Sequence, residues 1–294
     1  MKRILQLLFL TGSTISASGQ LPDTDIFLSR ITRSEKGFEF SPPTNMTRRP
    51  GYDNQPAFTD DGNAFYFVSI NKDTTQSDIY KCDLVKRTVN PFTRTSTSEY
   101  SPRITPDGKG VSVVRVDPDS GQRFYVIPIE MPKAAIHIDN SDSIGYYAWT
   151  SDSTIAMFIL EGKSNSLQLL NIRSGERKRI APSIGRCLKT DLKINNLYYT
   201  DKSDTNTTII HRIDLKEMND TSIIRCMKGS EDFEVLEDGS LLQGNEGRLY
   251  IAKPGSSEWE LAADFSSVLK DFYRIVVDPT GRLLALVAYT GHKP

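Results

Sequence analysis

Twelve side chains able to bind or react recur at one place in this sequence, each just ahead of a short apolar strand and its turn. They are Asp53, Asn54 and Gln55, Glu99 and Tyr100, Tyr146 and Tyr147, Arg186, Glu231 and Asp232, and Tyr273 and Arg274. On a shared axis, Arg186 and Arg274 can grip a carboxylate or phosphate with paired N–H donors, while the tyrosines offer flat contact area. The same charges have a plainer use, pairing across a channel wall whose polar groups need partners. Asp53, Glu99, Glu231 and Asp232 are also candidate oxygen ligands for a hard cation such as Ca²⁺, which draws ligands from separated segments and can activate a lactone or ester for hydrolysis. Tyrosine and arginine are odd neighbours for that ion, so the first expectation is a binding site without a cofactor.

Other chemistries find less support. The chain has no G-x-S-x-G elbow, no H-E-x-x-H pair and no Walker sequence. His137, His211 and His292 lie in different repeats or near the C-terminal end, which disfavours a triad built on them. VDPDSG (116–121) imitates the start of a calcium loop but lacks its later ligands, and reads as a strand-connecting turn. ERKRI (176–180) follows Ser-Gly at a hairpin turn and reads as a solvated loop. The sequons at Asn45, Asn206 and Asn219 matter only in a secretory pathway that glycosylates asparagine.

The elements that would position the twelve residues form a repeat. PAFTDDG (56–62) and PRITPDG (102–108) share Pro, an apolar residue, Thr and a closing Asp-Gly, and the turn returns as VLEDG (235–239) and VDPTG (277–281). Gly62 and Gly108 stand one period of roughly 44 residues apart, as do Gly239 and Gly281, while Gly108 and Gly239 stand three apart; this is the length of a four-stranded propeller blade. The two missing turns fall where that period demands, in AWTSDS (148–153) and near Asn195 in CLKTDLKINN (187–196), without Asp-Gly. After each turn comes an apolar second strand: AFYFVS, VSVVRV, IAMFIL, LYYT and LLALVA. An alternating third strand follows: DIYKCDL, FYVIPI, LQLLNI, IIHRIDL and RLYIAK. A shorter polar fourth segment closes each unit. Trp149 takes the aromatic place of the repeat and reads as core, and Trp259, in a fourth strand, as packing between units.

The sixth turn is followed by LLALVA and then the chain ends, so the last unit needs two strands from elsewhere. DIFLSRI (25–31) parallels DIYKCDL as a third strand, and FEFSPPTNMT (38–47) reads as a fourth. The fold predicted is all-β: a six-bladed β-propeller of four-stranded blades, the last closed by two N-terminal and two C-terminal strands, which leaves no free sheet edge between the ends.

With these motifs in place, NQPAFTDDG…DIYKCDL resembles the TolB-like (WD-like) propeller repeat, in which Pro-x-aromatic-Ser/Thr-x-Asp-Gly is followed by an Asp-Ile-Tyr strand. GYDNQP (51–56), SEYSP (98–102), GYYAW (145–149), IGRCL (184–188) and SEDF (230–233) are similar to a group of exported bacterial TolB-like proteins of unsettled function. The resemblance spans residues 25–288 and implies a periplasmic or secreted propeller whose innermost strands carry the twelve residues to a channel mouth. It does not extend to TolB's separate N-terminal α/β domain.

Composition agrees with a protein that buries a large core: 294 residues, 38% hydrophobic and 25% charged. Its 36 basic and 37 acidic residues give a net charge of -1, so no overall field favours nucleic acid or an anionic membrane. Lys2 and Arg3, a mostly apolar run over residues 4–10 and the stretch TGSTISASGQ follow the plan of a signal peptide. Ala17-Ser18-Gly19 precedes the expected cut, so residues 1–19 are read as the leader and residues 20–294 as one domain. The apolar run is too short to span a bilayer, and no transmembrane segment is expected in the mature chain. Cys82, Cys187 and Cys226 permit at most one disulfide; a Cys187–Cys226 bond between neighbouring units and three packed free thiols are both open readings. The functional expectation is a binding or interaction module that takes a small polar or anionic ligand, a peptide or a partner protein at the channel mouth. The alternatives are a Ca²⁺-dependent hydrolase in the same channel and a scaffold acting through a propeller face.

Overall fold

The computed structural model describes residues 21–35, 37–71, 76–139, 143–191 and 193–290. The expected leader and His292 lie outside these. The described residues form strands joined by turns, with no helix among them. In chain order the strands are β1 (Thr24–Ser34), β2 (Gly37–Phe40), β3 (Thr44–Asn45), β4 (Gly51–Phe58), β5 (Ala64–Asn71), β6 (Asp78–Asp83) and β7 (Thr88–Pro91). Next come β8 (Ser98–Ile104), β9 (Gly110–Val116), β10 (Gln122–Pro128), β11 (Ile136–Asp139), β12 (Ile144–Trp149), β13 (Thr154–Glu161), β14 (Ser164–Asn171) and β15 (Arg177–Ala181). The chain continues through β16 (Ile184–Asp191), β17 (Asn196–Asp201), β18 (Ile209–Asp214), β19 (Asp220–Arg225), β20 (Phe233–Val235), β21 (Leu241–Asn245), β22 (Arg248–Ala252) and β23 (Glu260–Asp264), and ends with β24 (Phe272–Val277) and β25 (Leu283–Tyr289).

β8 to β11, β12 to β15, β16 to β19 and β20 to β23 are four four-stranded antiparallel meanders. The remaining sheet has nine strands and contains two units, β4 to β7 and β24-β25-β1 with β2 and β3, joined by a single parallel pairing of Thr24 with Tyr52. β1 lies antiparallel to β25 from Thr24 opposite Tyr289 to Arg30 opposite Leu283, so strands from both ends of the chain share one unit. The expected fourth strand over residues 38–47 is broken in two: β2 pairs with Ile31 to Ser34 and β3 with Phe27 and Leu28. Pro42 and Pro43 sit in the gap, where the missing N–H groups interrupt the ladder.

The first strands are neighbours in a cycle. β4 touches β8, β8 touches β12, and the series runs through β16, β20 and β24 back to β4. Sheets beside one another in this cycle pack face to face, and apolar clusters fill each junction. Phe124 of β10 meets Tyr147 and Trp149 of β12 at ring separations of 4.8 and 5.6 Å. Leu242, Phe272 and Leu286 share a cluster between the β20–β23 sheet and the closing unit, and Ile26, Phe65 and Val287 share one between that unit and β5. The Thr-x-Asp-Gly motif has a local cause: Asp61 accepts hydrogen bonds from Thr59 Oγ1 (2.6 Å) and the Asn63 amide (3.0 Å), and Gly62 supplies the left-handed backbone (φ 69°). Where the motif lapses, Asn195 takes the left-handed conformation instead.

Polar pins hold the first strands to the preceding sheets. Glu99 of β8 is 1% exposed and reaches back to Thr95 Oγ1 (2.5 Å) and Thr93 Oγ1 (3.1 Å), with Arg115 Nε 4.0 Å away. Burial pushes this carboxyl up to about 7, because the hydroxyl donors and Arg115 only partly offset the loss of water. A carboxyl raised in the folded state holds its proton after the unfolded chain has released it, so stability falls as pH rises from the ordinary glutamate value towards 7. Glu99→Gln is therefore expected to gain on the parent between pH 5 and pH 8, by on the order of 2–3 kcal/mol, in denaturant unfolding followed across that range. A difference independent of pH would show that Glu99 titrates as it does in the unfolded chain.

Candidate functional site

The first strands carry the twelve residues inward, but a break of register in most of them decides which ones arrive. The pairing with the second strand slips between Asn54 and Ala57, Tyr100 and Arg103, Ile144 and Tyr146, Ile184 and Leu188, and Phe272 and Arg274. Gln55 (φ 56°) and Ser101 (φ 54°) take left-handed conformations at these bulges, which re-aim side chains. Gln55 Oε1 then accepts the Ser101 amide at 2.6 Å, tying β4 to β8.

An open cavity of about 730 Å³ lies between the first strands and is bordered at its rim by Arg33, Phe38, Asp60, Lys193, Glu237 and Arg282. Gln55, Tyr146, Tyr147, Arg186, Asp232 and Arg274 line it; Asp53, Asn54, Glu99, Tyr100, Glu231 and Tyr273 do not. Asp53 is buried against Arg49 (2.6 Å), whose guanidinium lies 4.3 Å from the Tyr80 ring centre. Asn54 Nδ2 donates to the hydroxyls of Tyr52 (2.6 Å) and Tyr273 (2.5 Å). Tyr100 is buried, and Glu99 is held by the threonines described above. Glu231 accepts the Arg186 amide (2.5 Å) and Lys202 Nζ (2.8 Å) beside Gly185, where a Cβ would collide with the carboxylate. These six residues hold the cavity's frame.

At the centre of the site, Arg186 Nε and Arg274 Nε approach the two oxygens of Asp232 at 2.9 and 3.0 Å. Burial would raise the Asp232 carboxyl, but Arg186 and Arg274 together outweigh it and hold the group below its ordinary value. The Arg186 guanidinium lies over the Tyr273 ring at 5.9 Å, and that of Arg274 over Tyr146 at 5.4 Å. Asp232 pairs with arginines from two neighbouring strands, and one carboxylate between two guanidiniums leaves one positive charge in excess within the cluster. The terminal Nη atoms of both arginines have no hydrogen-bond partner among the described residues.

Ten charged residues absent from the sequence-based set also line the cavity: Lys189, Glu234 and Arg103, and with them Arg33, Asp60, Asp191, Lys193, Glu237, Asp278 and Arg282. Lys189 pairs with Glu234 at 2.6 Å, and Glu234 also accepts the Val235 and Val277 amides at 3.0 and 3.1 Å, so this pair is neutral and well held. Arg103 Nη2 makes a long contact to the Leu188 carbonyl (3.4 Å), and its guanidinium lies 6.0 Å from the Tyr147 ring centre. No carboxylate pairs with it among the described residues. Its signal lay in the repeat itself, where Arg103 interrupts the apolar strand at the place Ala57 holds in the preceding unit.

The four carboxylates considered for a cation are engaged separately, and no group of three or more His, Cys, Asp or Glu among the described residues is arranged to hold a metal ion. Cys82, Cys187 and Cys226 are free and buried. Cys187 borders the cavity with its Sγ 3.5 Å from the Phe233 carbonyl oxygen, and burial pushes its thiol up to about 12. His137 stacks on Tyr125, and His211 pairs with Asp220 at 3.0 Å on a different sheet. The VDPDSG segment is a hairpin turn in which Arg123 engages Asp117 (2.9 Å) and Asp119 (2.7 Å).

No protein-family model matches this chain, and no curated protein matches it. Solved structures do. TolB from Acinetobacter baumannii is 13% identical with a TM-score of 0.61, over 91% of this chain and 64% of that one. A protein of Agrobacterium tumefaciens assigned as TolB is 12% identical with a TM-score of 0.67, over 91% of this chain and 99% of its own. XC5397 of Xanthomonas campestris, a gluconolactonase, is 10% identical with a TM-score of 0.63, over 94% and 99%. The chain thus spans 64% of the length of the first of these. Identities this low speak for the fold alone, and the fold these structures share with the chain is a β-propeller.

Proposed function

We propose that the protein is an exported, six-bladed propeller that acts as a non-enzymatic binding module, taking an anionic group of a small molecule, peptide or partner protein into its central channel. The six-bladed reading draws on the cycle of first strands and on the unit built from β24, β25, β1, β2 and β3. Export draws on the basic, apolar and small-residue order of residues 1–19. Among the described residues no helix is long and apolar enough to cross a membrane. The observation that carries the binding reading is the excess positive charge of the Arg186–Asp232–Arg274 cluster, whose three residues all line the 730 Å³ cavity. Donors already oriented by Asp232 and by the tyrosine rings lose little freedom when an anion arrives. A metal-dependent hydrolase would need oxygen ligands that converge, and the four carboxylates considered for it are dispersed.

Thermal unfolding of the mature protein, from Gln20 onward, tests this reading. A ligand at a hundred times its Kd is expected to add about 2.7 kcal/mol, a shift of roughly 5–10 °C for a chain of this size. Mono- and dicarboxylates or phosphate should produce such a shift, and Arg186→Ala and Arg274→Ala should each remove it. A shift with CaCl₂ that disappears in Asp53→Ala or Glu231→Ala would favour the hydrolase instead, and indifference to every anion and to Ca²⁺ would favour a scaffold.

Asp232 gives a second test, because it is the internal competitor for the same donors. Asp232→Asn should lower stability by about 3 kcal/mol or more, since breaking a buried pair leaves its partners uncompensated. Added anion should then raise the melting temperature of the variant more than that of the parent. The contribution of Asp232 belongs to a carboxyl depressed on folding, so it is present above the unfolded value and lost as pH falls through the folded one. The gap between parent and variant should accordingly narrow in acid. Equal anion responses in the two proteins would show that the arginines do not face the ligand.

A further inference from the structure

We infer that the channel selects ligands bearing two separated anionic groups, and that Arg103 is the residue that reads the second group. This rests on the channel-binding reading above. The charges nearest the centre of the cavity fall into three sets. Lys189 and Glu234 neutralise one another. Arg186, Asp232 and Arg274 retain one positive charge. Arg103 retains another: it makes no ion pair among the described residues, and the one carboxylate whose charge acts on it, Glu234, is taken up by Lys189.

The two excess charges are at different places. The Arg103 side chain starts on β8 and passes β12, where it lies over Tyr147, to end at the Leu188 carbonyl on β16. Leu188 is two residues along β16 from Arg186, so the Arg103 guanidinium and the Arg186–Arg274 pair mark two levels of the same wall. A monoanion can satisfy one level and leaves the other guanidinium with a single long hydrogen bond. A ligand with acidic groups at two points satisfies both, and 730 Å³ is ample for the connecting atoms. The charges already sense one another: burial is the main influence lowering the proton affinity of Arg103, and the neighbouring Arg274 adds to it. An anion between them would relieve that repulsion.

Isothermal titration calorimetry on the mature chain, from Gln20 onward, at fixed ionic strength tests this. Glutarate is the separated dianion, pentanoate its monocarboxylate match, and inorganic phosphate a compact anion of high charge. The parent is expected to bind glutarate about tenfold or more tightly than pentanoate, the factor that one charge-assisted hydrogen bond supplies. Arg103→Gln should lose that preference by weakening glutarate far more than pentanoate, and Arg103→Lys, which keeps the charge, should retain part of it. Both variants are first checked for parental melting temperature, and Arg103→Lys carries the test where Arg103→Gln does not fold. Equal affinities for glutarate and pentanoate overturn the inference, as does a uniform loss for both in Arg103→Gln; the channel-binding reading survives either result. Phosphate binding tighter than glutarate with the same dependence on Arg103 also overturns it, in favour of a single compact anion. Failure of all three probes to bind overturns the channel-binding reading itself.

Discussion

The ladder between β1 and β25 is the constraint on which the channel depends. Seven consecutive residue pairs, from Thr24 with Tyr289 to Arg30 with Leu283, place an N-terminal strand inside a unit begun by the C-terminal ones. Without it β24 and β25 would expose an unpaired edge beside β4, and nothing would hold the first strands in a cycle. The apolar clusters follow from the same closure: Ile26 and Val287 are buried only because the closing unit is completed between its two neighbours. Each junction is then a two-sided core, and the strands lining the cavity are fixed by packing behind them.

The polar interior is arranged with the economy such a closed wall requires. Charges that cannot reach bulk water are paired, as in Lys189 with Glu234, or shared, as in Asp232 between two arginines. Frame and cavity are divided cleanly. Glu231 engages the backbone and Lys202, and Asn54 and Tyr273 engage one another, while Arg103, Arg186 and Arg274 line the cavity. Gly185 shows how closely frame and cavity are built together, since even a methyl group there would press on Glu231 and thereby on the backbone that carries Arg186.

How much of this the sequence disclosed follows the range of the forces involved. Turns were legible because Thr59, Asp61 and Gly62 act within four residues, and the turn at Asn195 was placed by period alone and carries a left-handed asparagine. The exchange of strands between the chain ends was legible by counting. What lay hidden was geometry at the bulges. A strand presents alternate residues to one face, so a slip between Asn54 and Ala57 is enough to send Asp53 away from the cavity and bring Gln55 into it. Arg103 was concealed for a different reason: it sits one place beyond the polar segment, in a strand that reads as apolar, and its place on the cavity wall depends on strands distant in sequence.

The β1–β25 ladder also dictates an order of events during biosynthesis. β1 precedes β25 in the chain with five four-stranded units between them, so the nascent chain carries an apolar strand without its partner until all of those units have been made. The intervening meanders are made of neighbours and can form as they appear, whereas the ring can shut only once both ends are free in the same compartment. Closing the cycle is therefore the last step of folding, because it waits on β25, the strand that completes the ladder with β1.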